Sequence, residues 1–240
     1  MTKVAVLWAG GIRDFRRTWS NYRGAILQSC RHGDNDLEVD LYVSTYESED
    51  VEEFTELYQP VHIDVESLEK VTAKSQEAML DLQKTHYDKW PESNPISTVS
   101  TLYKLDRVYK TFEKHSLYNY DYVVRYRDRI LLSHQLDHAL PPVGEYGRGI
   151  LIPQFGNWKG GLCDVFAVGS ELQMKKYHCG ILDNLYSYLE QGCYLQVENI
   201  LLWHLVAQNI KLIRKPYGVS ILQETPNKDL DTATYTKRFS

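Results

Sequence analysis

Short apolar runs alternate with helix-period stretches through the first half of this chain, and that alternation is its strongest constraint. Val4–Trp8 is an apolar strand closed by Ala9-Gly10-Gly11. Ile12–Cys30 then brings Ile12, Phe15, Trp19, Tyr22, Ile26 and Leu27 roughly onto one helical face. Leu37–Thr45 reads as a second strand, Glu49–Leu57 as a short acidic helix and Val61–Val65 as a third strand. Strand, helix, strand in this order predicts a three-layer α/β/α fold on a mostly parallel sheet. Such sheets bind ligands outside the carboxyl ends of their strands, so residues at those ends are the functional candidates.

The rest of the chain continues the pattern. Residues 67–90 read as polar and helical, and Trp90–Pro95 as a loop by its prolines. Thr98–Lys114 is an amphipathic helix feeding one strand-like run, Tyr120–Leu132. Strands follow at Gly149–Pro153, Asp164–Gly169 and Lys211–Arg214, with one helix over 171–190 and another at Val197–Gln208. A polar tail closes the chain over 223–240. One domain is expected over 1–240, with about 1–130 and 131–222 as its two halves.

Charge narrows the partners. With 27 basic against 32 acidic residues the net charge is −5, and no Lys/Arg-rich block occurs, which argues against a nucleic-acid partner. No apolar run approaches the ~18–20 residues of a membrane span. Cys30, Cys163, Cys179 and Cys193 are scattered without a C-x-x-C pair, as expected of reduced thiols in the cytoplasm.

The densest chemistry lies in Tyr122-Val-Val-Arg-Tyr-Arg-Asp128. Arg125 and Arg127, two residues apart, share a face if the strand stays regular, and paired guanidiniums suit a diphosphate. The alternative is an internal ion-pair network. Gly10 and Gly11 allow close backbone approach ahead of a helix N-terminus, where Arg13 and Arg16, one turn apart, reach toward an anion. Thr45 and Tyr46 close the second strand where a base or ribose would lie, or are an ordinary strand end. On the helix before the central strand, Ser100, Lys104 and Arg107 share a face that reads as solvated or as a ligand contact, with Lys104 the better candidate of the three. The run Pro153–Gly169 adds Gly160, Gly161, Trp158 and Asp164, which suit a sugar held by an aromatic face and a carboxylate, or a glycine hairpin around a packing Trp. Glu198 opens an apolar helix and suits a general base, although any first-turn acid is favoured by the helix dipole. His204, inside that helix, reads as a satisfied core histidine.

Several short motifs together resemble small GT-A-fold nucleotide-sugar glycosyltransferases, of the kind that build surface glycans in bacteria and large DNA viruses. They are Gly10-Gly-Ile-Arg13-Asp-Phe15, Asp40-Leu-Tyr-Val-Ser-Thr45, Tyr103-Lys104 ahead of Tyr120–Arg127, Gly160–Gly169, and Glu198–Leu205. The resemblance spans residues 3 to about 222. It implies a Rossmann-related nucleotide-binding half, a UDP- or GDP-sugar donor and a glycan acceptor. Gly10, Gly11, Arg13, Thr45, Lys104, Arg125, Arg127 and Asp128 would hold the donor, and Trp158, Gly160 and Gly161 the sugars. Glu198 is the first choice for catalytic base, with Asp164 second. Relatives carry an Asp-x-Asp after the central strand that binds Mn or Mg. Arg129 stands at the second acid here, so either arginines neutralise the leaving diphosphate instead of a metal, or Asp128 alone anchors a labile ion. The rival readings are a catalytically silent sugar- or nucleotide-binding domain, and a kinase or sulfotransferase, which the missing P-loop opposes.

Overall fold

The computed structural model describes residues 1–28, 37–74, 76, 94–140, 149–154 and 160–222. The strands are β1 (Thr2–Ala9), β2 (Leu37–Tyr46), β3 (His62–Glu66), β4 (Tyr122–Tyr126), β5 (Ile130–Leu132), β6 (Gly149–Pro153), β7 (Phe166–Gly169), β8 (Lys211–Lys215) and β9 (Val219–Ile221). The helices are α1 (Phe15–Tyr22), α2 (Val51–Tyr58), α3 (Pro95–His115), α4 (Glu171–His178), α5 (Ile181–Glu190) and α6 (Val197–Ala207). Seven strands form one sheet in the order β3-β2-β1-β4-β7-β6-β8, and β5 pairs with β9 in a separate ribbon. Pairing is parallel from β3 through β4 and again between β6 and β8, while β7 runs against both its neighbours. The expected α/β fold on a mostly parallel sheet is what forms.

Register explains the layers. Trp8 pairs with Val43 and Tyr126, so these three share a face. Trp8 packs edge-on against Phe54 and Tyr58 of α2, and Phe15 of α1 joins the same aromatic cluster. Leu7 pairs with Tyr42 and Arg125 on the opposite face, where Tyr42 packs edge-on against Phe112 of α3. A strand covered on both sides must be apolar throughout, and Val4–Ala9 is fully buried.

Boundaries differ from expectation at identifiable residues. The helix expected over Ile12–Cys30 is α only over Phe15–Tyr22 and continues as a π-helical turn at Arg23–Leu27. Helix α3 starts ahead of Thr98, with Pro95 in its first turn, and the Asn94 side chain accepts from Ser97 N at 3.1 Å. The helix expected over 171–190 is two helices, broken at Gly180, whose φ of +79° leaves the helical region. The Tyr120–Leu132 run is two strands belonging to different sheets. Residues 68–74 are helical, whereas the remainder of the helix expected to 90 falls mostly outside the described residues, as do Cys30 and the tail.

Candidate functional site

A cleft of about 590 Å³ opens at the carboxyl ends of β1, β2 and β4. Gly10, Gly11 and Arg13 supply one wall, Tyr46 and the N-terminal half of α3 another. Arg127, Asp128 and Arg129 form a third side, with Asp164 and Glu198 beside them. This is where ligand sites of open α/β sheets fall.

The first wall is set by a tight turn. Gly10 has φ +116°, a conformation that side-chain-bearing residues avoid, and its N–H donates to Ser44 O at 3.0 Å. Trp8 Nε1 donates to Gly11 O at 3.1 Å and fixes the following peptide. Arg13 lines the cleft. Arg16, expected beside it, turns instead to α2, where its Nε meets Glu53 Oε1 at 2.8 Å and its Nη2 meets Asp50 Oδ1 at 2.8 Å. One helical turn separates the two arginines, but the nearby carboxylates of α2 take the second.

Lys104 lines the cleft yet is almost wholly enclosed. Its Nζ donates to Thr45 O at 2.8 Å, Glu66 Oε2 at 3.0 Å and Ser44 Oγ at 3.3 Å, and lies 4.9 Å from the centre of the Tyr46 ring. Burial lowers its pKa, opposed by Glu66. Lys104 therefore ties α3 to the ends of β2 and β3 and steadies Tyr46. The Thr45 side chain is fully buried, and its carbonyl serves Lys104. Arg107, expected on the same face as Lys104, instead grips Asp64 with Nε at 2.9 Å and Nη2 at 2.7 Å.

The arginine pair separates. Arg125 is fully buried, and its guanidinium donates to the carbonyls of Ala9, Tyr126 and Asp164 at 2.8–3.3 Å. Burial lowers its pKa to about 10, so it remains a cation at neutral pH. It sits behind the cleft and laces together three chain segments, which corrects its expected role as a diphosphate contact. Two arginines at this spacing share a face only on a strand regular through residue 127, whereas β4 ends at Tyr126. Arg127 does line the cleft, and its Nη1 donates to Asp164 Oδ2 at 2.7 Å.

The next two residues complete that side. Asp128 is mostly buried, and desolvation raises its pKa against the pull of Arg127 and Arg129. Arg129 has φ +67°, a left-handed geometry that costs a side-chain-bearing residue about 1–3 kcal/mol. Its Nε meets Asp14 Oδ2 at 2.6 Å, and its carbonyl accepts from Leu222 N at 2.7 Å. Asp14 also holds Arg17 at 2.9 Å. Sequence reasoning passed over Asp14, although it lies inside the Gly-Gly-Ile-Arg-Asp run.

Glu198 stands in the first turn of α6 at the cleft, and burial followed by the charge of Asp164 raises its pKa. Gly161 explains how close α6 comes. A Cβ on Gly161 would lie 2.5 Å from Glu198 C and 2.7 Å from Asn199 N, and Leu162 N donates to Glu198 O at 2.9 Å. Gly161, expected as a sugar contact, thus seats the helix that carries Glu198. Gly160 is solvent-exposed at φ +82° and marks the turn before it. Trp158 lies outside the described residues. His204 is a core histidine as expected, with Nδ1 at 3.0 Å from Tyr188 Oη and Nε2 at 2.7 Å from Lys176 O.

A carboxylate-held divalent ion is poorly matched by these groups. Among the described residues no group of three or more His, Cys, Asp or Glu side chains is placed to hold a metal. Asp164 is committed to Arg127, and the position after Asp128 carries a cation held by Asp14.

No protein-family model matches the chain, and no curated protein matches it. Solved structures of similar shape include mouse xyloside xylosyltransferase 1 in its apo form, at 9% identity and TM-score 0.48 over 89% of this chain and 84% of that one. The apo-form glycosyltransferase GlyE of Streptococcus pneumoniae aligns at 14% identity and TM-score 0.46 over 89% of this chain, which spans only 45% of that protein. A nucleotide-diphospho-sugar transferase assignment in Desulfovibrio desulfuricans belongs to a third, at 10% identity and TM-score 0.42 over 90% of this chain and 80% of that one. Likeness at these levels carries no functional weight. The class that the fold and cleft define by themselves is an α/β protein with a polar site at its strand ends. Among the described residues no helix is long and apolar enough to cross a membrane.

Proposed function

We propose that this protein is a glycosyltransferase that moves a sugar from a nucleoside-diphosphate sugar to a carbohydrate hydroxyl in glycan synthesis. The observation that carries the reading is one cleft with arginines on one side and Glu198, its pKa raised, on another. In this reading the Gly10-Gly11 turn admits the diphosphate, and Arg13 and Arg127 stabilise the charge that grows on it as it leaves. Glu198 takes the acceptor proton while the acceptor oxygen bonds to the sugar C1 and the C1–phosphate oxygen bond breaks. A raised pKa suits that task, because a stronger base removes a hydroxyl proton better. Asp164 orients Arg127. A thermal-shift screen of UDP- and GDP-sugars, followed by an assay for released nucleoside diphosphate with glycan acceptors, tests the proposal. Stabilisation and release by one donor are expected; a panel with neither sinks it.

One feature favours a second reading, a silent nucleotide-sugar-binding domain: Arg129 occupies a position where a catalytic-site acid was expected. Tight binding with no turnover against any acceptor, and none by hydrolysis, selects that reading.

A further inference from the structure

We propose that the cleft takes the diphosphate of its ligand on an arginine cluster, Arg13, Arg127 and Arg129, instead of on a carboxylate-bound divalent cation. The identity of the ligand as a nucleotide sugar rests on the reading above, whereas the metal-free grip rests on the cleft alone.

All three guanidiniums line one cavity. Two are already oriented by carboxylates, Arg127 by Asp164 at 2.7 Å and Arg129 by Asp14 at 2.6 Å. Such pairs hold planar donor forks in place, and phosphate oxygens match those forks bidentately. The point where a Cβ on Gly11 would sit is 3.9 Å from Arg13 Nε and 3.8 Å from Asp128 Oδ2, so the glycine turn, Arg13 and Asp128 converge. A diphosphate lying over Gly11 would meet Arg13 on one flank and Asp128 on the other, with Arg127 and Arg129 lining the same cavity on either side of Asp128 in the chain.

The same geometry works against a dication. Mg²⁺ and Mn²⁺ need several oxygen ligands with carboxylates free to turn toward them. Asp164 is occupied by Arg127, and Asp128 lies 3.9 Å from Arg127 Nε with Arg129 next in the chain. A divalent ion at Asp128 would sit among like charges.

Asp128 separates the two chemistries. If it ligates a metal, Asp128→Asn abolishes metal-dependent binding. If the arginines do the work, Asp128→Asn removes a like charge beside the diphosphate and leaves binding equal or tighter.

Titration calorimetry on the full chain with inorganic pyrophosphate, UDP and GDP, first in EDTA and then with MnCl₂, provides the test. The expected result is binding in EDTA that changes less than about threefold on adding Mn²⁺. Arg13→Gln, and Arg129→Gly with its left-handed backbone kept comfortable, should each weaken binding roughly ten- to hundredfold. Asp128→Asn should retain it. Binding only with Mn²⁺, or loss of binding in Asp128→Asn with an unchanged melting temperature, overturns the inference and leaves the glycosyl-transfer reading standing. Pyrophosphate bound in EDTA while both nucleotides fail in every condition keeps the arginine cluster and sinks the nucleotide-sugar reading instead. Failure of all three probes overturns both.

Discussion

Arg127 Nη1 lies 2.7 Å from Asp164 Oδ2, an ion pair at the cleft that joins the end of β4 to the segment leading into β7. Arg125, only two residues earlier, reaches the backbone carbonyl of the same Asp164 from behind. One acidic residue thus organises a cation facing the ligand and a cation facing the core.

The two arginines should fail differently. Arg127→Ala is expected to weaken nucleoside-diphosphate binding by about 1.5–3 kcal/mol, the range for a charged hydrogen bond. Arg125→Leu strips three buried carbonyls of their donor and is expected to cost about 3 kcal/mol of stability with binding to the folded fraction retained. Calorimetry and denaturant midpoints on both variants check this. An Arg125→Leu protein of normal stability that no longer binds would return that residue to the cleft.

Glu198→Gln should reduce sugar transfer by about a hundred- to ten-thousandfold while leaving donor affinity near that of the parent. In the parent, transfer falls as pH is lowered through the folded pKa of Glu198, which burial and Asp164 place above the usual glutamate range. The variant should lose that acid limb. A pH–rate profile with the limb intact in Glu198→Gln assigns the base elsewhere.

The same shift has a stability consequence of definite sign. A carboxyl whose folded pKa exceeds its unfolded value binds more protons when folded, so its contribution is fully present below the unfolded pKa of roughly 4.3 and is lost as pH rises through the folded pKa. Glu198→Gln should therefore melt higher than the parent at pH 7, and the advantage should vanish in acid. Melting curves at the two pH values decide it. Equal melting temperatures at pH 7 would mean that Glu198 ionises without penalty.

Gly161→Ala forces a methyl to within 2.5 Å of the Glu198 carbonyl carbon, so the start of α6 must move. About 1–3 kcal/mol of stability should be lost, and transfer should fall further than donor binding, because the displaced residue is the proposed base. Gly160→Ala, which meets nothing within 4 Å, should show only the strain of its positive φ, about 1 kcal/mol. Parallel melts and initial rates on the pair distinguish packing against α6 from simple turn chemistry.

What the sequence discloses about this fold follows from burial. Val4–Trp8 and Leu37–Thr45 are legible as strands because a parallel strand covered on both faces is apolar without interruption. The break at Gly180 had a visible signal in the glycine itself. The break after Tyr126 had none, since Arg129 adopts a left-handed φ that its residue type does not advertise. Strand β9, three residues beside a polar tail, is too short for periodicity to reveal. The cleft was legible as a place, through Gly10, Gly11, Arg13, Arg127, Asp128, Asp164 and Glu198. Which charges face it was not: Arg16, Arg107 and Arg125 turn to partners distant in sequence, and only the folded neighbourhood settles that competition.

Leu222 N bonds to the carbonyl of Arg129, and β9 pairs with β5, so the residues just past Arg129 are pinned by the last described stretch of the chain. During synthesis on the ribosome, β1, β2 and β4 all emerge long before residue 222 does. The arginine side of the cleft therefore acquires this partner only after every strand of the large sheet has been made. A nascent chain halted after β8 would carry every strand of the large sheet and still lack the clasp that sets Arg129.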